Sequence, residues 1–305
     1  MIKSFFLVIT FILLTSVSVF AWAKYTRPML VLDMRNAPQL PKNFRAVTDV
    51  LPDSMNTTGL ADLHIAGSAQ FSRSSLQAIL QHLHTKQLLV IDLRQESHGM
   101  LNSNAISWYG WHNAENAGKK PAEIEEEQTA LLKALGEEEV AVVNNILQKS
   151  PDGGIQKVKP IEYMVHQTSS EEQMVTDMKL RYKRIYVQDF HAPSDKAVDR
   201  FLEIIRSVPK DRWIYFHCRG GSGRTTEFMA MYDMIHNAKT VSFDDIIARQ
   251  IALGGKDLTM MPEKNNFKHG WASDREKFIR KFYEYAHDNK DDFKTTWSEW
   301  LKAQA

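Results

Sequence analysis

One stretch of the sequence, Trp213-Ile214-Tyr215-Phe216-His217-Cys218-Arg219-Gly220-Gly221-Ser222-Gly223-Arg224-Thr225-Thr226, decides the fold and contains the only cysteine of the 305-residue chain. Its apolar start predicts a buried strand, and the glycine-rich segment predicts a tight loop before a helix that begins near Gly223. Backbone N–H groups of such a loop, at a helix N-terminus, form a cup that binds a tetrahedral dianion. The same positive field stabilises a thiolate, so Cys218 is predicted to be a nucleophile beside a bound phosphate.

Other interpretations of the loop fit less well. A buried structural cysteine is the simplest one, but an apolar core rarely continues as Arg-Gly-Gly-Ser-Gly-Arg. A nucleotide-binding loop requires G-x-x-x-x-G-K-[ST], whereas this chain has Cys218 in place of the first glycine and Arg224 in place of the lysine. A sulfur-rich zinc site needs a second cysteine, and the 11 histidines show no His-Glu-x-x-His pair. The loop therefore indicates phosphate chemistry that requires no metal and no other cofactor.

The N-terminus has the features of a secretory signal. Lys3 precedes an almost uninterrupted apolar run from Phe5 to Phe20, and Ala21-Trp22-Ala23 is typical of a cleavage site. We expect residues 1–23 to be a signal peptide that is cleaved after Ala23, which makes the mature protein periplasmic or secreted. An uncleaved membrane anchor is the alternative, because the run is only slightly shorter than a membrane-spanning helix.

The length of the remaining residues, 24–305, permits one large domain or two small ones, and we predict a single catalytic domain. The formal net charge is +1, and removal of Lys3 with the signal would make the chain neutral. This balance gives no reason to expect a nucleic-acid partner, nor stable membrane association after cleavage. Affinity for a polyanion would have to come from a local basic pocket.

Apolar periodicity predicts alternating strands and helices. Residues 88–93 form a short apolar run that predicts a buried strand, and residues 196–208 have helical spacing just before the strand of the cysteine stretch. Residues 123–148 are predicted as one long charged helix, with Gly136 as its point of interruption, and residues 24–53 as irregular. The alternation predicts an α/β sheet with helices on both faces and the loop at a strand's carboxyl end.

A thiolate that attacks phosphorus needs an acid to protonate the leaving oxygen. Asp189 is the candidate, because it follows a predicted strand and precedes a proline by four residues, on a loop that can cover the pocket. Once ionised, the same carboxylate would deprotonate the water that hydrolyses phosphocysteine. Asp195 is the alternative, although its position after Ser194 fits a helix-capping segment better.

Further loop residues have predicted roles. The guanidinium of Arg224 can hold two phosphoryl oxygens at once, which a lysine cannot. Thr225 would donate a hydrogen bond to the thiolate, and His217 either positions the loop or simply ends the strand. The residues between the nucleophile and Arg224 are predicted to bind substrate: Arg219, Gly220, Gly221, Ser222 and Gly223.

These residues resemble the protein-tyrosine-phosphatase superfamily, whose signature is His-Cys-x5-Arg-[Ser/Thr]. More narrowly, the chain is similar to the phytase-like branch, which removes phosphates from myo-inositol hexakisphosphate. The narrower resemblance depends on further blocks, at residues 41–45, 67–72, 92–99 with 106–110, 200–202 and 297–301. It covers most of residues 40–301.

The resemblance implies a phosphatase core sheet flanked by helices, with a small partial β-barrel inserted into it. It also implies that Cys218 is the nucleophile, that Asp189 is the acid and that Arg45 reaches the substrate's outer phosphates. Two departures from the family pattern are visible. The acid loop lacks the Trp-Pro-Asp of tyrosine phosphatases, and Arg219 stands where relatives often carry an acidic residue, which would change the charge of the pocket.

A hexakisphosphate requires several cations around one pocket. Predicted substrate contacts are Arg45, His191, Lys264 and Lys268, with Lys256 and His269 also available, although any single lysine is more often an ordinary solvated charge. Arg94, Glu96 and His98 are either ligands or a buried network. The predicted function is an exported cysteine phosphatase of inositol hexakisphosphate that works through phosphocysteine. A protein-tyrosine, dual-specificity or phosphoinositide phosphatase is the alternative enzyme, and a phosphate-binding module or a sulfur transferase are the alternatives outside phosphatase activity.

Overall fold

The computed structural model describes residues 28–304. The predicted signal peptide, residues 1–23, lies outside these described residues. Within residues 28–304, none of the helices combines the length and the apolar character needed to cross a bilayer.

In this part of the chain, strands form two sheets that are covered by helices. The strands are β1 (Met29–Met34), β2 (Arg45–Ala46), β3 (Ile65–Ser68), β4 (Leu88–Arg94), β5 (His98–Leu101), β6 (Asn104–Tyr109), β7 (Val140–Lys149), β8 (Ile155–Met164), β9 (Thr168–Ser169), β10 (Arg181–Val187) and β11 (Trp213–His217). The helices are α1 (Arg73–His82), α2 (Pro121–Gly136), α3 (Glu171–Asp177), α4 (Asp195–Arg206), α5 (Gly223–Asn237), α6 (Phe243–Ala252), α7 (His269–Asp288) and α8 (Trp297–Ala303).

The core sheet has the strand order β10-β4-β11-β3-β2, and all pairs are parallel except the one between β2 and β3. Strand β4 is buried along its whole length because helices cover both faces of the sheet. Leu89 and Ile91 pack in one apolar cluster with α4 to α8, whereas Leu88 and Val90 pack in another with α1 and α3. The predicted α/β class, with helices on both faces of the sheet, is confirmed.

The topology brings three loops together at one edge of this sheet. Strands β10, β4 and β11 are adjacent and parallel, so their carboxyl ends lie side by side. Cys218 follows β11, Glu96 follows β4 and Asp189 follows β10. Residues far apart in the sequence therefore meet where α/β sheets place their ligands.

The second sheet has the order β8-β7-β1-β6-β5-β9 and packs its own apolar cluster against α2. Most of it comes from the segment between β4 and β10, which interrupts the core sheet in the sequence. Strands β1 and β7 are parallel and the other pairs are antiparallel. That this insert forms a partial barrel stays a prediction.

Two segment predictions are wrong. The helix over residues 123–148 ends at Gly136, and its second half is strand β7. There Ala141 and Val143 are buried while Val140 and Val142 are exposed, an alternation with the period of a strand in a segment rich in β-branched residues. The segment 24–53, predicted as irregular, contains β1 and β2.

Candidate active site

The glycine-rich loop joins β11 to α5, with Ser222 at the N-cap position of the helix. Gly221 has φ 66°, and a Cβ atom at this position would collide with the backbone nitrogen of Ala69. Glycine is therefore the residue that allows the loop to approach the segment after β3. Asn43 holds the loop on the same side by donating from Nδ2 to the carbonyl of Gly220 at 2.8 Å.

Cys218 borders a cavity of about 360 Å³ that also contacts Asp189 and the loop backbone. The residue is only 3% exposed, so its sulfur is reached through this cavity. Thr225 Oγ1 donates to Cys218 Sγ at 3.2 Å, from the first turn of α5. The thiol thus lies beside a hydroxyl donor and a helix N-terminus, both of which stabilise negative charge on sulfur.

The side chain of Arg224 is buried and fixed by Glu96. Arg224 Nη1 donates to Glu96 Oε2 at 2.7 Å and Nη2 donates to Oε1 at 3.0 Å, and Nη1 also donates to the carbonyls of Leu93 and Val187. Although burial opposes ionisation, Arg224 and then Arg94 hold the pKa of Glu96 below its ordinary value. One edge of the guanidinium is therefore committed to Glu96, while Arg224 Nε has no hydrogen-bond partner among the described residues.

Asp189 borders the cavity with about a quarter of its side chain exposed. Its Oδ1 lies 3.3 Å from Arg224 Nη2 and accepts from the backbone N–H of Phe190, while Oδ2 accepts from Asn113 Nδ2 at 3.0 Å. Asn113 is buried and has φ 60°, a left-handed conformation that costs free energy in a residue with a Cβ atom. The alternative acid, Asp195, instead begins α4 and accepts from the indole N–H of Trp297.

Basic side chains from separate segments line the cavity: Lys149, Arg219, Lys256, Lys268 and Arg275. Arg275 is held by Glu227, whose Oε2 accepts from its Nε at 3.2 Å, and by the carbonyl of His191. Arg219 donates from Nε to Asp33 Oδ1 at 2.8 Å. Lys149 Nζ donates to the hydroxyl of Tyr109 at 2.6 Å, and burial, followed by repulsion from Arg219, lowers the pKa of Lys149 to about 8.

An aromatic group forms another part of the wall. Phe190 and Phe267 border the cavity, and their rings meet edge to face with centroids 5.9 Å apart. Trp271 stacks on Phe190, and Lys268 Nζ lies 4.8 Å from the centroid of the Phe190 ring. The acid loop is therefore packed against the start of α7.

The structure is similar to that of a PTP-like phytase from Bdellovibrio bacteriovorus, with a TM-score of 0.70, 33% sequence identity and coverage of 91% of this chain and 96% of the other. The chain belongs to the PTP-like phytase family. The sequence model of this family, described as "Inositol hexakisphosphate", matches residues 91–236.

Other members and relatives match over most of the chain. The tandemly repeated PTP-like phytase from Mitsuokella multacida has a TM-score of 0.83 and 34% identity, over 91% of this chain and 49% of that one. The effector protein HopD2 of Pseudomonas syringae is 29% identical over 89% of this chain and 59% of its own length. The chain thus spans about half the length of the Mitsuokella phytase and about three fifths of that of HopD2.

Arg45 does not lie where the family resemblance implied. It is 1% exposed and lies behind the phosphate loop, where Nη1 donates to the carbonyl of Gly221 at 2.8 Å and Nη2 donates to Thr226 Oγ1 at 2.9 Å. The prediction that it reaches a substrate's outer phosphates is therefore wrong for this arrangement. Burial lowers the pKa of Arg45 to about 10, so it remains a positive charge behind the loop at neutral pH.

Two other predicted contacts lie outside the cavity, whereas Lys268 borders it. Lys264 is exposed on the segment before α7. The ring of His191 packs on Trp271, and its Nδ1 is 2.8 Å from the carbonyl of Asp189. Neither residue borders the cavity, because proximity in the sequence to Asp189 or Lys268 does not determine the side on which a loop residue lies. Their contact with substrate stays a prediction.

The block of residues 92–98, at the end of β4 and after it, forms a buried network and does not border the cavity. Arg94 Nε donates to Glu96 Oε1 and Arg94 Nη1 to Asp33 Oδ2, both at 2.9 Å. His98 Nε2 lies 3.2 Å from Asp92 Oδ2. His217 is fully buried behind the loop, with Nε2 2.7 Å from Glu171 Oε1. Of the two interpretations left open for Arg94, Glu96 and His98, the network is the one observed.

Several residues of the site were not predicted as such. Lys149 carries a weak signal, because it ends a strand just before the turn Pro151-Asp152-Gly153-Gly154. Asn113 and Arg275 carry none, since their partners Asp189 and Glu227 are 76 and 48 residues away in the sequence. Only the fold brings these pairs together.

Proposed function

We propose that this chain is an exported, cysteine-dependent phosphatase that hydrolyses phosphomonoesters of myo-inositol hexakisphosphate through a phosphocysteine intermediate. The observation that carries the proposal is that Cys218 and Asp189 border one cavity, with Arg224 beside Asp189. Membership of the PTP-like phytase family supports phosphomonoester hydrolysis. In this proposal Cys218 is the nucleophile, Asp189 is first the acid and then the base, and Arg224 contacts the phosphoryl group.

In the first step, a lone pair of the Cys218 thiolate forms a bond to phosphorus and the phosphorus–oxygen ester bond breaks. The leaving oxygen takes a proton from the carboxyl group of Asp189. The transferred phosphoryl group would lie over the loop N–H groups and satisfy the unpartnered Nε of Arg224. A dianion bound there competes with Asp189 for Arg224, which frees the carboxyl group for the leaving oxygen.

In the second step, water attacks the phosphorus of phosphocysteine and gives a proton to the Asp189 carboxylate. The sulfur–phosphorus bond breaks, inorganic phosphate leaves and the thiolate is regenerated. The hydroxyl of Thr225, 3.2 Å from the sulfur, stabilises this leaving thiolate. Asp189 returns to its protonated form, so the cycle closes without an external acid.

The proposed substrate class follows from the charge around the cavity. Five basic side chains border it, whereas Asp189 is the one acidic side chain that the described residues contribute to its lining. A single phosphate needs the loop and one guanidinium, so the additional cations suit a ligand with several phosphates. A myo-inositol phosphatase from Mitsuokella multacida, 34% identical to this chain, has been solved with myo-inositol-(1,3,4,5)-tetrakisphosphate.

The decisive experiment uses two variants and one substrate. Cys218→Ser should abolish phosphate release from myo-inositol hexakisphosphate while retaining its binding by calorimetry. Asp189→Asn should lower kcat by about a hundredfold or more, as expected for loss of a general acid. Wild-type rates in both variants would show that the chemistry is performed elsewhere or not at all.

The aromatic wall favours a second candidate, a phosphatase of aryl phosphates such as phosphotyrosine. Phe190 and Phe267 could pack against a phenyl ring whose phosphate reaches Cys218. The ratio of kcat/KM for inositol hexakisphosphate to that for a phosphotyrosine peptide separates the two candidates. A preference for the peptide would replace the first proposal with the second.

Export is proposed from the sequence features of residues 1–23. Cell fractionation of the full chain, followed by N-terminal sequencing, tests it. The expected mature protein begins at Lys24 and is recovered outside the cytoplasm. A cytoplasmic protein that retains Met1 would contradict the proposal.

A further inference from the structure

The loop that carries Asp189 contains a strained residue. Phe190, which directly follows Asp189, has φ 67°, a left-handed conformation that is unfavourable for a bulky side chain. Strain of this kind persists only where the surrounding contacts impose it. Asn113 and Arg224 contact the carboxyl group of Asp189. The backbone after Phe190 is held by other residues, which come from α7.

Two residues one turn apart on α7 hold this backbone. Trp271 stacks on the ring of Phe190, with the ring planes 12° apart and the centroids 5.9 Å apart. Arg275 lies four residues later and therefore on the same face of the helix. It donates from Nη2 to the carbonyl of His191 at 2.8 Å. The position of the acid loop thus depends on where the guanidinium of Arg275 lies.

The guanidinium of Arg275 is fixed in turn by Glu227, on the second turn of α5. Glu227 is fully buried, and its Oε2 accepts from Arg275 Nε at 3.2 Å. Its Oε1 has no hydrogen-bond partner among the described residues. Gly223, one turn earlier, leaves room for the guanidinium, because a Cβ atom there would lie 2.9 Å from Arg275 Nη1. Arg275 therefore bridges the acid loop and the helix that follows the phosphate loop.

The charge of Glu227 is sensitive to pH. Three cations attract its negative charge: Arg275 from α7, Arg224 from α5 and Lys256 from the segment after α6. Burial nevertheless raises the pKa of Glu227 to about 7. The carboxyl group is therefore ionised above neutral pH and neutral below it, and its bond to Arg275 is stronger in the ionised form.

We propose that Glu227 is a positioning residue for the acid loop. It fixes Arg275, and the bond from Arg275 to the His191 carbonyl keeps Asp189 over the cavity. The proposal rests on the function proposed above, in which Asp189 protonates the leaving oxygen. Glu227 does not border the cavity, so it acts through Arg275 and not on the substrate.

The test compares phenyl phosphate with p-nitrophenyl phosphate, two substrates that carry the same phosphate group and differ by one nitro group. Departure of phenolate needs protonation, whereas departure of the weakly basic p-nitrophenolate needs little. We expect Glu227→Gln to lower kcat/KM for phenyl phosphate about tenfold, a part of the hundredfold or more that a general acid contributes. For p-nitrophenyl phosphate, kcat/KM should stay within twofold of wild type. Loss of a negative charge near the cavity would by itself increase the attraction for both anions, so a selective fall is not an effect on binding.

Two further measurements separate positioning from a purely structural role. The difference between wild type and Glu227→Gln should disappear below about pH 6, where the wild-type carboxyl group is neutral as well. Arg275→Lys keeps the positive charge but lacks the planar fork that contacts Glu227 and the His191 carbonyl together. It should cause the same selective fall, and adding Glu227→Gln to it should cause no further loss.

Asp233→Asn is the matched control, because it disrupts another buried carboxylate–arginine pair on the same helix, the one with Arg249. Any loss of stability in this variant should change kcat/KM for the two substrates equally. Equal effects of Glu227→Gln on both substrates, or no effect on either, overturn the positioning role. If Glu227→Gln does not fold, the same outcomes for Arg275→Lys decide. A wild-type protein that hydrolyses neither inositol hexakisphosphate nor the aryl phosphates instead refutes the proposed function itself.

Discussion

Replacing Glu96 by glutamine tests whether the buried carboxylate holds the site together. Glu96 is 1% exposed and accepts from Arg224 Nη1 and Nη2 and from Arg94 Nε, at 2.7, 3.0 and 2.9 Å. Glutamine keeps one acceptor oxygen, but its amide nitrogen would face a guanidinium donor, and two buried cations lose their shared negative charge. Breaking a buried ion pair costs about 3–5 kcal/mol, and we expect that loss here. For a chain of this size it corresponds to a fall in Tm of about 10 °C.

Urea denaturation followed by tryptophan fluorescence measures the free energy of unfolding, and phosphate release measures kcat/KM. We expect kcat/KM to fall about a hundredfold, because Arg224 loses the contact that orients it. Glu127→Gln is the control, since Glu127 pairs with Lys119 at the surface and should contribute less than about 1 kcal/mol. The pKa of Glu96 is held low in the folded state, so its contribution is present above about pH 4.5 and is lost as pH falls. A Glu96→Gln protein within 1 kcal/mol of wild type at pH 7 would refute this reasoning.

Three further predictions concern catalysis. Thr225→Val should lower the rate of phosphocysteine breakdown about tenfold, because the leaving sulfur of Cys218 loses its hydrogen bond, and a larger pre-steady-state burst with p-nitrophenyl phosphate would report this. Asn113→Ala should remove the hydrogen bond that positions Asp189 and lower the rate of inositol phosphate hydrolysis about tenfold. The rate with p-nitrophenyl phosphate should hardly change, because its leaving group needs little protonation. An equal fall in both rates would contradict a positioning role. KM for the hexakisphosphate should rise as pH goes from about 7 to 9, because Lys149, with a pKa of about 8, loses its charge. Lys149→Arg should flatten this rise. Identical pH profiles of KM in wild type and variant would exclude Lys149 as the cause.

The loop and its strand could be predicted from the sequence because neighbouring residues determine their conformation. Glycine is the residue type that tolerates φ 66° beside the Ala69 backbone, as position 221 requires. The apolar run before Cys218 is long enough for a strand but too short for a helix. The position of Asp189 followed from the same logic, since it ends another predicted strand. Each of these inferences needed fewer than about ten neighbouring residues.

The surrounding cations could not be predicted because they depend on packing between distant segments. Arg275 lies in the middle of a charged helical pattern, and its role depends on Glu227, which lies on another helix. The error over residues 123–148 has the same origin. Charged residues with helical spacing continued the pattern of α2, whereas pairing with β8 and β1 makes the segment a strand.

Arg45 shows why a motif can identify an important residue and still assign it the wrong task. Its charge does lie near Cys218, but on the far side of the loop, where it supports the Gly221 carbonyl. A basic residue behind the loop stabilises a thiolate in front of it without contacting substrate. The sequence carries the charge of such a residue but not the side of the backbone on which it lies.

A chain of alternating charges links Arg224 and Arg219, which both lie in or next to the loop that follows Cys218. It runs from Arg224 through Glu96, Arg94 and Asp33 to Arg219, with successive contacts of 2.7, 2.9, 2.9 and 2.8 Å. Asp189 extends the chain, since its Oδ1 lies 3.3 Å from Arg224 Nη2, so three guanidiniums face three carboxylates and the formal charges balance. Guanidiniums this deeply buried would be too costly without carboxylates between them. Attraction for a phosphate therefore depends on other basic side chains that border the active-site cavity: Lys149, Lys256, Lys268 and Arg275.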